Sequence, residues 1–208
     1  MIVNRVGSVT TRTATGRTRL SPEQRREQLL GLGVMLLSTR SLEELSIDLL
    51  SEEAGISRGL LYHYFGNKHA FHEAVVRRAA DDLIAQTAPP PGGEPLERLL
   101  VSMTAYVDYV DTNYQGYLSL VRGAAGGNET LRRIYDEARS ALTDRIFTED
   151  AQGMLISDTA ETRLVVRGWA AYAEELVLSW RADPDGVTRE ALLAMLTASL
   201  PALVAATS

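Results

Sequence analysis

The sequence predicts an all-α chain of about nine helices, an N-terminal three-helix unit containing a helix-turn-helix followed by a C-terminal helical bundle. Three observations carry this. Hydrophobic residues make up 45% of the 208, and Ala and Leu dominate over Val and Ile, a bias toward helix. Apolar residues recur at three- and four-residue spacing along most of the chain, and no segment alternates convincingly at period two. Cap-forming residues stand before the apolar runs, with Gly or Pro after them. There is no cysteine, which excludes disulfides, thiolate zinc sites and a cysteine nucleophile. No apolar run reaches about 18 residues, the length a membrane span needs. Residues 1–19 have no apolar core of the secretory type, so the expected location is cytoplasmic.

The elements follow in order. "SPEQ" opens the first helix, with Ser21 as N-cap, Pro22 at the first helical position and Gln24 completing a capping box. Leu29, Leu30, Leu32, Leu36 and Leu37 form its apolar side; Gly31 and Gly33 weaken it, which a close helix crossing would explain. Ser46 caps a short second helix that Gly55 ends as a C′ residue, and Ser57 caps a third at once. Two short helices around a tight glycine turn are the sequence form of a helix-turn-helix. Gly66 stops the third helix and Asn67 caps a longer fourth, with Phe71, Val75, Ala79 and Leu83 along one stripe to about residue 87. "APPPGGEP" (88–95) lets no strong helix cross. The chain therefore divides into a flexible basic arm (1–20), a helix-turn-helix unit with its connecting helix (21–87) and a second unit (95–208).

The second unit is helical throughout. Leu96, Leu99, Leu100, Met103, Tyr106, Val107 and Val110 form one stripe, and a short helix spans about 114–124. Asn128 caps the next helix, and "DTAE" opens a long one with Asp158 as N-cap and Glu161 three residues on. After the "DPDG" turn, Leu192, Leu193, Leu196 and Leu200 mark a last helix before Pro201.

The net charge of −6 conceals an asymmetry. Residues 1–80 hold 11 basic and 8 acidic side chains, a balance of +3, whereas 81–208 hold 10 and 19, a balance of −9. Six arginines fall within residues 1–26 against the single acid Glu23. Such a split suggests that the N-terminal part meets a polyanion and the rest does not. The only lysine, Lys68, and all three histidines, His63, His69 and His72, lie beside the helix-turn-helix. His69 and His72 are the one pair at i, i+3 spacing, too little for a metal site. No metal or other cofactor is expected.

A helix-turn-helix reads double-stranded DNA by laying its second helix in the major groove. Arg58, just after the Ser57 cap, is placed to bond guanine O6 and N7 bidentately, and Gly59 lets the backbone come close. Tyr62, His63 and Tyr64 suit phosphate or sugar contacts, which position the protein without reading sequence. Lys68 lies in the first turn of the fourth helix and Ser46 at the start of the second, where helix N-termini favour an anion. Phe65 is assigned to the core.

Residues 46–75, "SIDLLSEEAGISRGLLYHYFGNKHAFHEAV", resemble the helix-turn-helix of the tetracycline-repressor (TetR) family of bacterial transcriptional regulators. "AGIS", "LYHYF" and "NK" stand at that family's spacing, and with the preceding helix the resemblance covers residues 21–85. It implies base reading by Arg58, Gly59 and Leu60, with phosphate contacts from Tyr62, His63, Tyr64 and Lys68. Two residues depart from the pattern. Leu60 replaces a common Thr or Ser, exchanging a hydrogen bond for an apolar contact, and Asp48 puts an acid near the DNA backbone. The arginine arm is placed to compensate along the backbone or in the minor groove.

The resemblance further implies that residues 95–208 bind a small molecule and dimerise through the last two long helices, about 159–181 and 187–205. A homodimer implies a palindromic operator. Met103, Tyr106, Tyr109, Tyr114, Tyr117, Leu118, Trp169 and Tyr172 are the candidate ligand residues, because Tyr and Trp join a large apolar body to one polar tip. Few charges fall on the stripe, which favours an apolar or amphipathic effector; Arg122 is the candidate for pairing with an anionic end. The expected activity is repression relieved by that effector. An enzyme would need a nucleophile–base pair or carboxylate dyad. Glu174 and Glu175 are adjacent on one helix and so diverge. A helical adaptor with a non-functional DNA-binding head is the competing reading, supported by Asp48 and Leu60.

Overall fold

The computed structural model describes residues 20–149 and 156–207; the basic arm lies outside them, apart from Leu20. Among the described residues there are nine helices and no strand. α1 (Pro22–Leu37), α2 (Ile47–Ala54) and α3 (Arg58–Phe65) form the N-terminal unit, and α4 (Lys68–Gln86) leads out of it. α5 (Pro95–Thr112), α6 (Tyr114–Ala125), α7 (Glu129–Glu149), α8 (Ala160–Ala182) and α9 (Arg189–Ala205) make the second unit.

Local chemistry sets the ends of the first four helices. Ser21 accepts the Gln24 N–H while the Gln24 side chain accepts the Ser21 N–H, closing the capping box. Ser46, Ser57 and Asn67 cap α2, α3 and α4 through the N–H groups of Leu49, Leu60 and Ala70. Gly55 adopts the left-handed conformation (φ 62°) that closes α2. Gly66, at φ 76° and ψ −55°, turns the chain so tightly that the Asn67 N–H reaches the Phe65 carbonyl at 2.9 Å.

Two expectations change. The N-cap of α8 is Thr159, not Asp158: Thr159 and Thr162 exchange the two capping bonds, and Asp158 instead bonds Arg163 at 2.5 Å. Two cap-forming residues stand side by side, and the hydroxyl of Thr162, held by the Ser157 carbonyl at 2.5 Å, selects the second. The last helix does not stop at Pro201, which lies inside α9. Full burial of Leu200 and half-burial of Val204 against the core hold the helix together past the missing N–H.

Two apolar cores result. The first joins Leu29, Leu45, Leu50, Leu61, Phe71 and Val75 of the N-terminal unit to Leu120, Leu131 and Ile134 of α6 and α7. The second packs Val107, Val110, Val166, Trp169, Leu192 and Leu196 from α5, α8 and α9. Leu83, near the end of α4, belongs to the second core, whereas Phe71 to Ala80 of the same helix belong to the first. A single helix thus touches both.

Candidate nucleic-acid interface and internal cavity

The outer face of α3 is built by helical spacing. Leu61 and Phe65, four apart, are buried, so Arg58 with Tyr62, and Gly59 with His63, turn outward. Arg58 and Tyr62 are largely exposed, Leu60 and Tyr64 are half-buried, and Tyr64 packs against the first core. Lys68 is exposed at the first position of α4, one tight turn beyond α3. Ser46 and Ser57 spend their hydroxyls on capping, leaving first-turn N–H groups of α2 and α3 as anion donors. Asp48 is not an isolated acid near the DNA backbone; it forms an ion pair with Arg58, joining α2 to α3 across the turn. Both partners are more than half exposed, so the pair is weak and Arg58 is readily released.

The second unit and the end of α4 line a partly open cavity of about 160 Å³. Its inner end is polar and ordered by a bonded chain. The Tyr106 hydroxyl donates to Tyr117 (2.9 Å), which donates to Glu174 (3.0 Å); Tyr135 donates to the other Glu174 oxygen (2.8 Å). Arg139 bonds Tyr135 at 2.5 Å and stands 4.0 Å from Glu174. Burial pushes the Tyr106 and Tyr117 phenols well up and that of Tyr135 up to about 12, so all three remain neutral donors. Leu99, Met103, Leu142, Ile146 and Trp169 make the apolar middle. The other end lies against Thr87, Pro89, Pro95, Arg98 and Arg145, where α4 ends and α5 begins. There Arg145 donates to the Ile84 carbonyl (2.6 Å) and the Thr87 hydroxyl (3.3 Å).

Two family models match the chain. "Bacterial regulatory proteins, tetR family" covers residues 29–75, and "Tetracyclin repressor-like, C-terminal domain" covers residues 95–203. The crystal structure of a TetR-family transcriptional regulator from Streptomyces coelicolor superimposes with a TM-score of 0.80 and 37% identity, over 90% of this chain and 83% of that one. The chain belongs to the TetR family. Its members are DNA-binding transcriptional regulators, not enzymes. The HTH-type transcriptional regulator BetI of Vibrio vulnificus (strain YJ016) is 23% identical over 172 residues, 80% of this chain and 85% of its own length. FadR from Bacillus subtilis, crystallised with stearoyl-CoA, shares the fold, with a TM-score of 0.61 at 19% identity over 86% of this chain and 97% of that one.

Within this TetR-family fold, four of the eight aromatic and apolar candidates meet at the cavity: Met103, Tyr106, Tyr117 and Trp169. The other four lie elsewhere. Tyr109 donates to the Ala79 carbonyl at 2.6 Å and lines a void of about 30 Å³ between α1, α4, α5 and α6. Tyr114 lies beneath the Arg181 guanidinium, Leu118 is half-buried on α6, and Tyr172 is exposed on α8. Arg122 is exposed and off the cavity wall. Tyr135, Arg139, Arg145 and Glu174 line the cavity and were not among the candidates. Their signal is weak in sequence, because charges at helical spacing read as a solvated face.

Proposed function

We propose that this protein is a cytoplasmic, effector-controlled repressor. Two copies hold their α3 helices in successive major grooves of a palindromic operator, and a small apolar or amphipathic effector in the cavity releases them. One observation carries the coupling. α4 begins at Lys68, beside the recognition helix, and ends at Leu83–Thr87, against the cavity wall. A ligand that prefers one placement of α4 changes operator affinity by its differential affinity for the two states. The stearoyl-CoA bound by the B. subtilis FadR supports an amphipathic effector in this fold. Arg58, Gly59 and Leu60 read bases, Tyr62, His63, Tyr64 and Lys68 hold phosphates with the N-termini at Ser46 and Ser57, and residues 1–20 add charge along the duplex.

Dimerisation through α8 and α9 is supported by their exposed apolar side chains. Leu164 and Tyr172 stand two turns apart on α8 beside the open Gly168, and Met195 and Leu203 stand two turns apart on α9. Unpaired rows of this kind mark a contact surface. The test is selection of genomic DNA by the purified chain at two salt concentrations, followed by titration of candidate effectors against the recovered site. Recovery of a palindrome, with affinity falling steeply as salt rises, supports the DNA reading. No enrichment at either salt overturns it in favour of the adaptor. An effector that binds without changing operator affinity overturns ligand control.

A further inference from the structure

The two ends of the cavity differ in how their charges are answered. At the inner end Glu174 is met by Arg139 and by the Tyr117 and Tyr135 phenols. At the other end Arg145, half-buried on α7, has no carboxylate within ion-pair distance among the described residues. Its contacts are neutral, the Ile84 carbonyl and the Thr87 hydroxyl. They occupy two of the five N–H donors of a guanidinium. The last turn of α4 offers partial negative charge, enough to hold the group but not to neutralise it.

We infer that the effector is an amphipathic carboxylate, its anionic group on Arg145 and its apolar body running inward over Met103, Leu142 and Trp169. This inference rests on the reading that the cavity is the effector site. A carboxylate matches the planar guanidinium in bidentate geometry and supplies the missing charge. At the inner end a second anion would face Glu174, so the molecule enters in one orientation, with an apolar or hydroxyl-bearing tail toward Tyr106. Arg139 and Arg145 are six residues apart on α7, about 9 Å of helix rise, which sets the reach of the tail. The volume sets its bulk. A cavity of about 150 Å³ takes a benzene-sized molecule, so the 160 Å³ here fits one ring or a short alkyl chain. The carboxylate binds the same guanidinium that holds the Ile84 carbonyl, which links its binding to the end of α4.

The probes are octanoate, octanamide and octylamine, matched in length and differing in charge. Binding to the full chain is measured by calorimetry at neutral pH, with operator release followed separately. Octanoate is expected to bind at least about tenfold tighter than octanamide, the scale of one charge-assisted hydrogen bond, and octylamine weakest. Arg145→Gln removes the charge and keeps a polar side chain, and should bring octanoate and octanamide within about threefold. Equal affinity of the three, tighter binding of the amine, binding of none, or full carboxylate preference in Arg145→Gln overturns the inference. The ranking with the unaltered chain decides even where the variant does not fold. Preferential octanoate binding that leaves operator affinity unchanged would uphold this site and refute ligand control.

Discussion

Alanine at Gly31 and at Gly33 should shift stability in opposite directions, although the two glycines are two residues apart on one helix. Both lie inside α1, where Gly is about 0.8–1.0 kcal/mol less favourable than Ala. A methyl group at Gly31 meets no heavy atom within 4 Å, so Gly31→Ala should stabilise by about that amount. At Gly33 the same methyl falls 2.6 Å from Val75 Cγ2, 3.2 Å from Val75 Cγ1 and 3.4 Å from Phe71 Cζ. Val75 and Phe71 are fully buried, and a β-branched residue in a helix has one strongly preferred rotamer. The clash is therefore met by moving α1 away from α4, at the roughly 1–3 kcal/mol typical of an overpacked core. Subtracting the propensity gain leaves a net loss of up to about 2 kcal/mol, and since that gain is common to both positions the variants are separated by the clash cost itself, about 1–3 kcal/mol. For a chain of this size each kcal/mol moves the melting temperature by about 2–4 °C. Calorimetric or circular-dichroism melts should place Gly31→Ala a few degrees above the unaltered chain and Gly33→Ala a few degrees below. If both variants melt higher by the same amount, α1 does not cross α4 this closely.

Other expectations concern the DNA interface and pH. Arg58→Ala should cost about 1–3 kcal/mol at the preferred operator and relax one base position, whereas Lys68→Ala should weaken all sequences alike and lower the salt slope by about one; competition binding at several salt concentrations separates them. Asp48→Asn removes an exposed ion-pair partner of Arg58, so unfolding free energy should change by no more than about 1 kcal/mol. Operator affinity should rise as an acid is withdrawn from the phosphates; a fall would show that Asp48 orients Arg58 for reading. His72 gives a sign for pH. Burial, with smaller contributions from Lys68 and His69, depresses its pKa below the usual 6.5, while its Nε2–H donates to the Leu45 carbonyl at 2.6 Å. The folded state thus binds a proton less readily than the unfolded one, so stability is present above about pH 6.5 and lost as pH falls through the depressed value. Urea midpoints should drop on acidification below that point, and His72→Gln should reduce the dependence.

How much of this was legible from the chain depends on sequence distance. The caps at Ser21, Ser46, Ser57 and Asn67 each act on an N–H three residues away, so they are readable as local chemistry. The outward face of α3 follows from the Leu61 and Phe65 period. Even local reading failed where two cap-forming residues stood together, because the choice between Asp158 and Thr159 turned on a third hydroxyl at Thr162. The cavity was only half legible. The apolar and aromatic stripes hold some of its wall but also include Tyr109, whose hydroxyl serves the α4–α5 contact instead. The polar partners come from far along the chain: Tyr135 meets Glu174 over 39 positions and Arg145 meets Ile84 over 61. No periodicity within one helix announces such a meeting.

Under the proposed ligand control, the contact between α4 and α7 decides how a signal from the cavity would travel. Glu73 bonds Arg133 at 2.8 Å, Arg77 bonds Glu137 at 3.0 Å, and Ile84 accepts from Arg145 at 2.6 Å. The paired positions advance together, so the two helices run side by side in the same direction, tied over about 16 Å of α4. The first two ties are between half-exposed side chains, each worth about 0–1 kcal/mol. Between them Val75, Val76 and Ala80 are buried in the first core, which resists separation far more than sliding. Allosteric couplings of about 1–3 kcal/mol exceed what either exposed pair opposes. A ligand acting on Arg145 as proposed would need only a coupling of that size to slide or tilt α4 along α7, which is less than stripping it from the core requires. In the proposed dimer such a motion would reach Lys68 and α3 as a change in the placement of an intact DNA-reading unit, and operator affinity would respond through the spacing of two such units.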